Sequence, residues 1–492
     1  MVATAAAIAA ASGPQKLFAD EPKPSKSANE KLIAAVIGAG GRGGEHINEW
    51  SKRSDVEIGF ICDIDTKHGY EACERIGKKH RKPQYVQDIR KLLEDKAVDF
   101  VSIATPNHWH SLAAIWAMQA GKDVYVEKPV SHNVSEGRRD VQAAERHKRI
   151  CQAGTQSRSS PGLHQAIAYL REGRLGEVKL ARALCYKRRK SIGPKGTYPI
   201  PDGVDYDLWS GPAPIKPLTR PNFHYDWHWQ WDYGNGDIGN QGIHQMDIAR
   251  WGLGEKSLSS SVLTYGGRFG YEDAGETANT EVAIQEFADG KTLVFEVRGL
   301  ETAPLLSWTK AGVVKDPKAA DVVGRAMSAV FFYGTEGYMV CPSYSDASVF
   351  DLKGKLVMSF KGGGDHFGNF LKAVRSRKTE DLNAPILEGH LSSALCHLGN
   401  ISYRLGEQHS VGEALERLKS LKTNDKVQET LDRTVAHLAD NKVKLDDKTQ
   451  FRVGHSLAFD PNAETFVNNS QADTYLTRDY RSPFVVPAAD AV

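Results

Sequence analysis

The chain of 492 residues is long enough for about three domains with well-buried cores, so its folding needs no disulfide or metal staple. A formal net charge of +2 and a hydrophobic share of 40% are typical of a globular α/β protein and argue against nucleic acid as a partner. No apolar run reaches the roughly 18 residues of a membrane-spanning helix, so we predict no membrane insertion.

Residues 1–30 precede the regular pattern and form a segment of their own. The apolar, alanine-rich stretch Val2–Ala11 and the Pro/Lys/Ser-rich stretch after it suit an export signal followed by a linker, which predicts a periplasmic or exported protein. No Lys or Arg precedes Lys16, so the basic start of such a signal is missing. A disordered leader on a cytoplasmic protein is the alternative.

Three further segments follow, and their patterns differ. Residues 31–155 alternate short apolar strands (32–37, 56–61, 98–104, 123–126) with helical stretches (to about 54, then 69–80, 87–95, 109–120, 135–148), which predicts βαβ units and a parallel sheet. Residues 156–410 carry longer β-like runs (176–186, 280–287, 292–298) and late helices (366–377, 386–404), typical of an α+β domain. Residues 411–492 are charged to about residue 450, then loop-like, and are assigned to a C-terminal extension.

The first chemical motif is Gly38-Ala-Gly-Gly-Arg-Gly43, which follows a predicted strand and opens a predicted helix. Gly38 allows the tight turn, Gly40 lets the backbone approach a pyrophosphate, and Gly43 lets helix and strand pack closely. Asp63 ends the second strand, where a carboxylate accepts hydrogen bonds from ribose hydroxyls and repels a 2′-phosphate. The pattern predicts a Rossmann domain that binds NAD in preference to NADP.

Two more motifs stand where predicted strands end. Thr105-Pro-Asn-His-Trp-His110 follows one strand and Glu127-Lys-Pro129 follows the next. The carboxyl ends of parallel strands form the ligand-binding edge of such a sheet. A lysine there, Lys128, is placed to hydrogen-bond a substrate oxygen and to stabilise negative charge on it.

In order and spacing these motifs resemble those of the Gfo/Idh/MocA oxidoreductases, which include glucose–fructose oxidoreductase and inositol dehydrogenase. The resemblance covers roughly residues 31–405 and continues through the stretches Gly234–Trp251 and Asn383–His390. The leader-like start and the tail through Tyr480–Pro483 resemble a subgroup abundant in planctomycete-type bacteria and often exported. The family implies a second domain with an open, largely antiparallel sheet, which binds the substrate and joins subunits into a homodimer or homotetramer.

The resemblance also implies roles for individual residues. Lys128 would lie near the nicotinamide, and His244 would be the general base; Asp247, at i+3, would orient the imidazole or bind a substrate hydroxyl. The implied cofactor-binding residues are Gly38, Gly40, Gly41, Arg42, Gly43, Asp63, Thr105, Pro106, Asn107, His110, Glu127 and Lys128. The implied substrate-binding residues are Gln156, Arg158, Trp227, Trp229, Asn240, His244 and Asp247.

Asn240 departs from the family pattern. Inositol dehydrogenase-like members carry an aspartate four residues before the motif histidine, and this chain has Asn240 there. An amide exchanges hydrogen bonds but supplies no charge. We therefore expect Asp237 or Asp247 to provide the carboxylate partner of His244.

Aromatic residues crowd the stretch Asn222–Tyr233. In an extended segment, Trp227, Trp229 and Trp231 would share one face, and such a face suits a sugar; a hydrophobic core or subunit interface is the equal alternative. The histidines and aspartates here lack a recognisable ligand spacing, so no metal site is predicted. The basic cluster Lys187–Lys190 is expected to be a solvated loop, with contact to an acidic sugar or a second subunit as the alternative.

These patterns together predict an NAD-dependent oxidoreductase that transfers a hydride between NAD and a secondary alcohol carbon of a sugar or polyol. A redox-neutral glycosidase is the first alternative: tightly bound NAD oxidises a sugar carbon transiently, elimination breaks the glycosidic bond, and the hydride returns. A non-catalytic NAD- or sugar-binding regulator is the second alternative. The pairing of a lysine with an acid/base histidine argues against it.

Overall fold

The computed structural model of the protein describes residues 31–302, 326–446 and 449–492. The leader predicted for residues 1–30 lies outside these ranges. None of the helices within them is both long and apolar enough to cross a membrane. All six cysteines lie inside them, each buried and unpaired.

The first domain is built on a parallel sheet. Its elements are β1 (Leu32–Ile37), α1 (Gly41–Ser51), β2 (Val56–Cys62), α2 (Thr66–Gly77), β3 (Gln84–Val86), α3 (Ile89–Leu93), β4 (Phe100–Ile103), α4 (Asn107–Gln119), β5 (Asp123–Val126), α5 (Val134–Arg146) and β6 (Cys151–Ala153). The strand order is β3-β2-β1-β4-β5-β6, with every pair parallel. This is the Rossmann order, and the sequence prediction of this fold is confirmed. The order reverses between β1 and β4, which is where such sheets bind ligands.

The second domain pairs a large sheet with helices. Its elements are α6 (Pro161–Arg171), β7 (Val178–Cys185), α7 (Tyr206–Ser210), α8 (Gly236–Asn240), α9 (Gly242–Leu253), β8 (Ser261–Gly267), β9 (Thr280–Glu286), β10 (Thr292–Arg298), β11 (Ser328–Gly334), β12 (Gly337–Cys341), β13 (Ala347–Asp351), β14 (Leu356–Phe360), α10 (His366–Ser376) and α11 (Ile386–Arg404). The chain then continues with β15 (Glu407–His409), α12 (Val411–Lys419), α13 (Val427–Asp440), β16 (Phe451–Val453), β17 (Leu457–Asp460), β18 (Thr465–Phe466) and α14 (Ser470–Asp473).

The sheet of the second domain is open and largely antiparallel, as predicted. The strands run in the order β14-β13-β12-β11-β7-β10-β9-β8-β16-β15, and β7 with β10 is a parallel pair. Side chains alternate between the two faces of a strand. Phe295 of β10 therefore packs with α9 and α11, whereas Val294 lies on the opposite face with α12 and α13. Two helices of the C-terminal extension thus cover part of one face of the sheet through which we predicted subunit contacts.

Late segments of the chain return to the first domain. Phe367 and Phe370 of α10 pack on Trp50 of α1, with ring centroids 4.8 Å apart for Trp50 and Phe367. Phe484 and Val486 are buried in the core formed by α4 and its neighbouring strands. β6 ends at Ala153, but the core of the first domain is completed by residues far beyond that strand.

Candidate active site

A cavity of about 360 Å³ opens at the carboxyl ends of β1, β2, β4 and β5 and is walled on its other side by the second domain. The predicted cofactor-binding residues on its wall are Gly38, Gly40, Gly41, Arg42, Asp63, Thr105, Pro106, Asn107, His110, Glu127 and Lys128. Trp227 and Asn240, predicted to bind substrate, also line it. The cleft between the domains therefore brings the motifs of both domains together.

The glycine turn has the shape that a dinucleotide requires. Gly38 has a φ of +84°, and a Cβ added at Gly43 would stand 1.7 Å from the carbonyl oxygen of Gly38. A Cβ at Gly41 would meet no atom within 4 Å, so the start of α1 faces open space. Free N–H groups at a helix start, beside open space, suit the pyrophosphate of NAD.

Asp63 supports the same turn from the end of β2. Its Oδ2 accepts a hydrogen bond from the backbone N–H of Ala39 at 2.7 Å, and its Oδ1 accepts one from the N–H of Asp65 at 2.9 Å. Burial raises the pKa of this carboxyl, although these two hydrogen bonds oppose the shift. Each oxygen keeps a second lone pair for a ribose hydroxyl, so the residue is fit to hold both the turn and the nucleotide.

Glu127 organises the wall between the glycine turn and β5. Its Oε1 accepts a hydrogen bond from Arg42 Nε at 2.8 Å and from Gln156 Nε2 at 3.1 Å, and it lies 3.0 Å from His46 Nε2. Burial would raise the pKa of Glu127, but Arg42 and His46 outweigh it and hold the pKa well below its usual range. Gln156, predicted to bind substrate, positions this carboxylate in the structure.

Lys128 is the cation at the centre of the cleft. Its Nζ donates a hydrogen bond to the carbonyl oxygen of Asn240 at 2.6 Å, which joins β5 to the end of α8. Burial lowers the pKa of Lys128 to about 8; the nearby charges of Arg42 and Lys187 add to this effect, and Glu127 opposes it. A lysine with this pKa exchanges protons near neutral pH.

His244 lies buried in the first turn of α9. Its ring stands 4.7 Å from that of Tyr344, and its Nδ1 has no hydrogen-bond partner within the ranges that the structure describes. Burial, followed by the positive charge of Lys128, holds the pKa of His244 well below its usual range. The imidazole is therefore neutral at working pH and can accept a proton. Lys128 lines the cavity, and His244, four residues after the lining residue Asn240, is not itself among the residues that line it.

Asp247 corrects one prediction, because it does not orient His244. Arg158 Nε donates to both of its carboxylate oxygens at 2.9 Å, and Ser392 Oγ donates to Oδ1 at 2.6 Å. The carboxylate is fully buried and is not among the residues that line the cavity. Arg158, predicted to bind substrate, is likewise buried in this ion pair. Helical spacing places Asp247 near His244, but the carboxylate points towards the buried guanidinium of Arg158 because that charged hydrogen bond is the stronger one.

Asp237, the other carboxylate proposed as the partner of His244, is also engaged elsewhere. Arg189 donates to it from Nε at 3.0 Å and from Nη2 at 2.8 Å, and Asp237 is fully buried. Lys187 Nζ donates to Gln241 Oε1 at 2.7 Å. The expectation of a solvated basic loop is therefore wrong for these two residues: both fold back towards the cleft, where their charges lower the pKa of Lys128.

The tryptophans of the aromatic stretch do not share a face. Asp226–Trp229 is a short 3₁₀ helix rather than an extended segment. With three residues per turn, side chains two positions apart point in different directions. Trp227 lines the cleft with its ring 3.6 Å from that of His228, whereas Trp229 is buried with Ile192 and Ala274. Of the two predicted sugar-binding tryptophans, only Trp227 stands where it can meet a ligand.

Several residues of the cleft escaped the sequence analysis. His68 of α2 and Tyr225 line it. Tyr344, beside His244, comes from the turn between β12 and β13, a hundred residues away along the chain. The aromatic stretch pointed towards Tyr225, but nothing local in the sequence marks His68 or Tyr344.

Family models match both domains. Residues 32–155 match the NAD-binding Rossmann fold of the Gfo/Idh/MocA oxidoreductase family, and residues 189–319 match the C-terminal alpha/beta domain of that family. Together the two matches cover just over half of the chain. The predicted NAD-binding domain is thereby confirmed.

Among individual relatives, a levoglucosan dehydrogenase from Pseudarthrobacter phenanthrenivorans is 27% identical over 205 residues, which are 42% of this chain and 44% of that protein. An alpha-N-acetylgalactosaminidase from Shewanella oneidensis is 29% identical over 171 residues, 32% of this chain and 37% of that protein. The chain thus matches less than half the length of these curated relatives.

Solved structures share the fold over most of their length. Levoglucosan dehydrogenase in complex with NADH and levoglucosan superposes with a TM-score of 0.56 at 19% identity, covering 75% of this chain and 96% of that one. The WlbA dehydrogenase from Bordetella pertussis, solved with NADH and UDP-GlcNAcA, gives a TM-score of 0.55 at 18% identity, covering 75% of this chain and 95% of that one. At these identities the likeness concerns the fold alone.

Proposed function

Because the chain belongs to the Gfo/Idh/MocA oxidoreductase family, we propose that it transfers a hydride between NAD and a secondary alcohol carbon of a sugar or polyol. One observation carries this proposal: Lys128 Nζ stands in the cleft below the glycine turn and donates to the carbonyl oxygen of Asn240, four residues before the buried His244. These are the two groups that oxidation of an alcohol requires, a cation for the oxygen and an acceptor for its proton.

The roles follow from the contacts. Lys128 releases the carbonyl of Asn240 and donates to the substrate oxygen, where its charge stabilises developing negative charge. His244 receives the hydroxyl proton during oxidation and returns it during reduction. Arg42, held by Glu127, fixes the wall beside the glycine turn. NAD held by the glycine turn and Asp63 would supply the acceptor for the hydride of the alcohol carbon.

A substrate screen tests the proposal directly. The purified protein is incubated with NAD and a panel of sugars, polyols and glycosides, and reduced nicotinamide is followed by absorbance, with Lys128→Ala as the inactive control. We expect at least one sugar or polyol to give reduced nicotinamide in proportion to turnover. A panel that leaves NAD oxidised and every sugar unchanged contradicts the proposal.

A redox-neutral glycosidase is the second candidate, and one contact favours it. His224 Nε2 of the second domain lies 3.2 Å from Asp65 Oδ2 of the first, a contact between the domains beside the glycine turn that would favour retention of NAD. The name of the Shewanella oneidensis relative points the same way. Release of a free sugar from a glycoside without accumulation of reduced nicotinamide would identify this reaction, whereas stoichiometric reduced nicotinamide identifies the dehydrogenase.

Location and assembly are part of the same proposal. Export to the periplasm follows from the apolar stretch Val2–Ala11 and is tested by cell fractionation. Self-association through the second-domain sheet is supported by two exposed apolar side chains on β14, Val357 and Met358. The helices α12 and α13 pack on other strands of the sheet and leave these two side chains uncovered. Light scattering on the purified protein measures the mass of the assembly.

A further inference from the structure

Asp65, His68 and His224 form a cluster that the proposed reaction does not use. One ligand atom from each lies within 4.8 Å of the others. Asp65 caps α2 through Oδ1, which accepts a hydrogen bond from the N–H of Lys67 at 2.8 Å, so its Oδ2 is left to face the two histidines. His68 stands one turn along α2, and His224 arrives from the second domain.

The spacing of these atoms is close to that of a metal site. Ligands 2.0–2.2 Å from a tetrahedral Zn²⁺ are about 3.3–3.6 Å from one another. Asp65 Oδ2 lies 3.2 Å from His224 Nε2 and 3.8 Å from His68 Nδ1, so small side-chain shifts bring all three into range. Two imidazoles with one carboxylate are a donor set that Zn²⁺ prefers.

An ion could enter this cluster from solvent. The side chains of His68 and His224 are 32% and 39% exposed, and both line the cofactor cleft. His68 Nδ1 also lies 3.9 Å from the position of a Cβ on Gly40, which sets the cluster beside the glycine turn. A fourth coordination position would therefore remain open towards water in the cleft.

We propose that Asp65, His68 and His224 bind one divalent transition metal ion, Zn²⁺, and that the ion fastens the second domain to α2 at the entrance of the NAD cleft. Three protein ligands with an open fourth position suit such an ion. The ion joins two segments 156 residues apart along the chain, His68 and His224. NAD release requires this connection to open, so bound Zn²⁺ slows it.

Metal titration of the purified protein tests the site itself. Co²⁺, as a visible probe, should bind at one equivalent per chain with the strong absorbance of a four-coordinate ion, and Zn²⁺ should displace it. His68→Ala and His224→Ala should each weaken Zn²⁺ binding in calorimetry by about a hundredfold or more, since even loss of an outer-shell partner costs 10–100-fold. Exposed His80→Ala, just beyond the end of α2, is the matched control and should bind normally.

Thermal unfolding and NAD release test the metal site without relying on catalytic activity, and they show whether the variants are folded. Zn²⁺ should raise the thermal unfolding midpoint of the wild type and His80→Ala but not of the two cluster variants. Release of NAD should slow with Zn²⁺ in the wild type and in His80→Ala, but not in the two cluster variants. Binding that is unchanged in both cluster variants overturns the site. Binding lost in the variants, with NAD release unaffected by Zn²⁺, overturns the fastening role and leaves the proposed function untouched.

Discussion

The carboxylates on the two sides of the cleft have opposite placements: those of the first domain line the cavity, and those of the second domain are buried in ion pairs. On the first-domain wall, Asp63 and Glu127 stand at the cavity and hold the glycine turn and Arg42 in place. On the second-domain wall, Asp237 and Asp247 are turned inward and bound to Arg189 and Arg158. Neither of these two carboxylates lines the cavity. The proposed reaction therefore assigns proton transfer to Lys128 and His244 rather than to a carboxylate–histidine pair.

The largest expected effect is the loss of stability when a buried carboxylate of the second domain is neutralised. Asp247→Asn leaves the buried Arg158 without its main partner and should lower the free energy of unfolding by about 3 kcal/mol. Urea unfolding measures it. Asp289→Asn, which breaks an exposed pair with Lys291, is the control and should cost less than about 1 kcal/mol. The pH–rate profile should keep its limbs, and a shifted limb would mean that Asp247 does act on His244.

Removal of Lys128, the cation of the first-domain wall, tests the proposed chemistry. Lys128→Ala should lower turnover by about 10²-fold or more, because the substrate oxygen loses its charged donor. NAD affinity, measured by calorimetry, should stay within about threefold, since the glycine turn and Asp63 are unchanged. Exposed Lys67→Ala is the control with normal turnover. Near-normal turnover of Lys128→Ala on the true substrate would remove this residue from the reaction.

His244→Ala should also lower turnover by about 10²-fold or more, because the proposed reaction then lacks its acceptor for the hydroxyl proton. NAD binding should persist, and added imidazole should restore part of the rate by occupying the vacated space. A variant that retains its rate without imidazole would assign the proton to another group, with Lys128 the next to test.

Asp63 probes the opposite wall. Asp63→Ala should reduce the preference for NAD over NADP by roughly tenfold, about 1.4 kcal/mol, because the repulsion of a 2′-phosphate is lost. Calorimetric titration of both cofactors gives the ratio, and Asp99→Ala provides a carboxylate control outside the cleft. Equal binding of the two cofactors by the wild type would contradict the role of Asp63.

The smallest effect concerns the pKa of Lys128. If its ammonium donates to the substrate oxygen, the rate should fall as the pH rises through about 8. Lys187→Gln removes a neighbouring positive charge, so the pKa should rise and the limb should move up by about half a unit. Arg188→Gln, an exposed neighbour paired with Glu301, should leave the limb in place. A downward shift for Lys187→Gln would mean that another group titrates.

The sequence predicted the first-domain wall of the cleft better than the second-domain wall. The glycine turn, Asp63 and Lys128 depend on neighbours along a strand–turn–helix unit, so local pattern was enough to place them in the cleft. Arg158, the partner of Asp247, lies 89 residues away along the chain. The prediction that the tryptophans share one face was wrong because Asp226–Trp229 is a 3₁₀ helix and not an extended segment. The fold of each domain follows from hydrophobic periodicity, whereas the pairing of buried charges depends on contacts between distant segments that periodicity does not encode.

The contact of Trp50 with Phe367 and the burial of Phe484 have a consequence for biosynthesis. At a translation rate of about 5–20 residues per second, Phe484 emerges about 15–65 s after β6. The nascent first domain therefore leaves the ribosome with its sheet formed from local strands but with an apolar surface still uncovered. We expect it to depend on chaperone shielding over that interval, and a chain halted after residue 155 to aggregate rather than fold as an isolated NAD-binding domain.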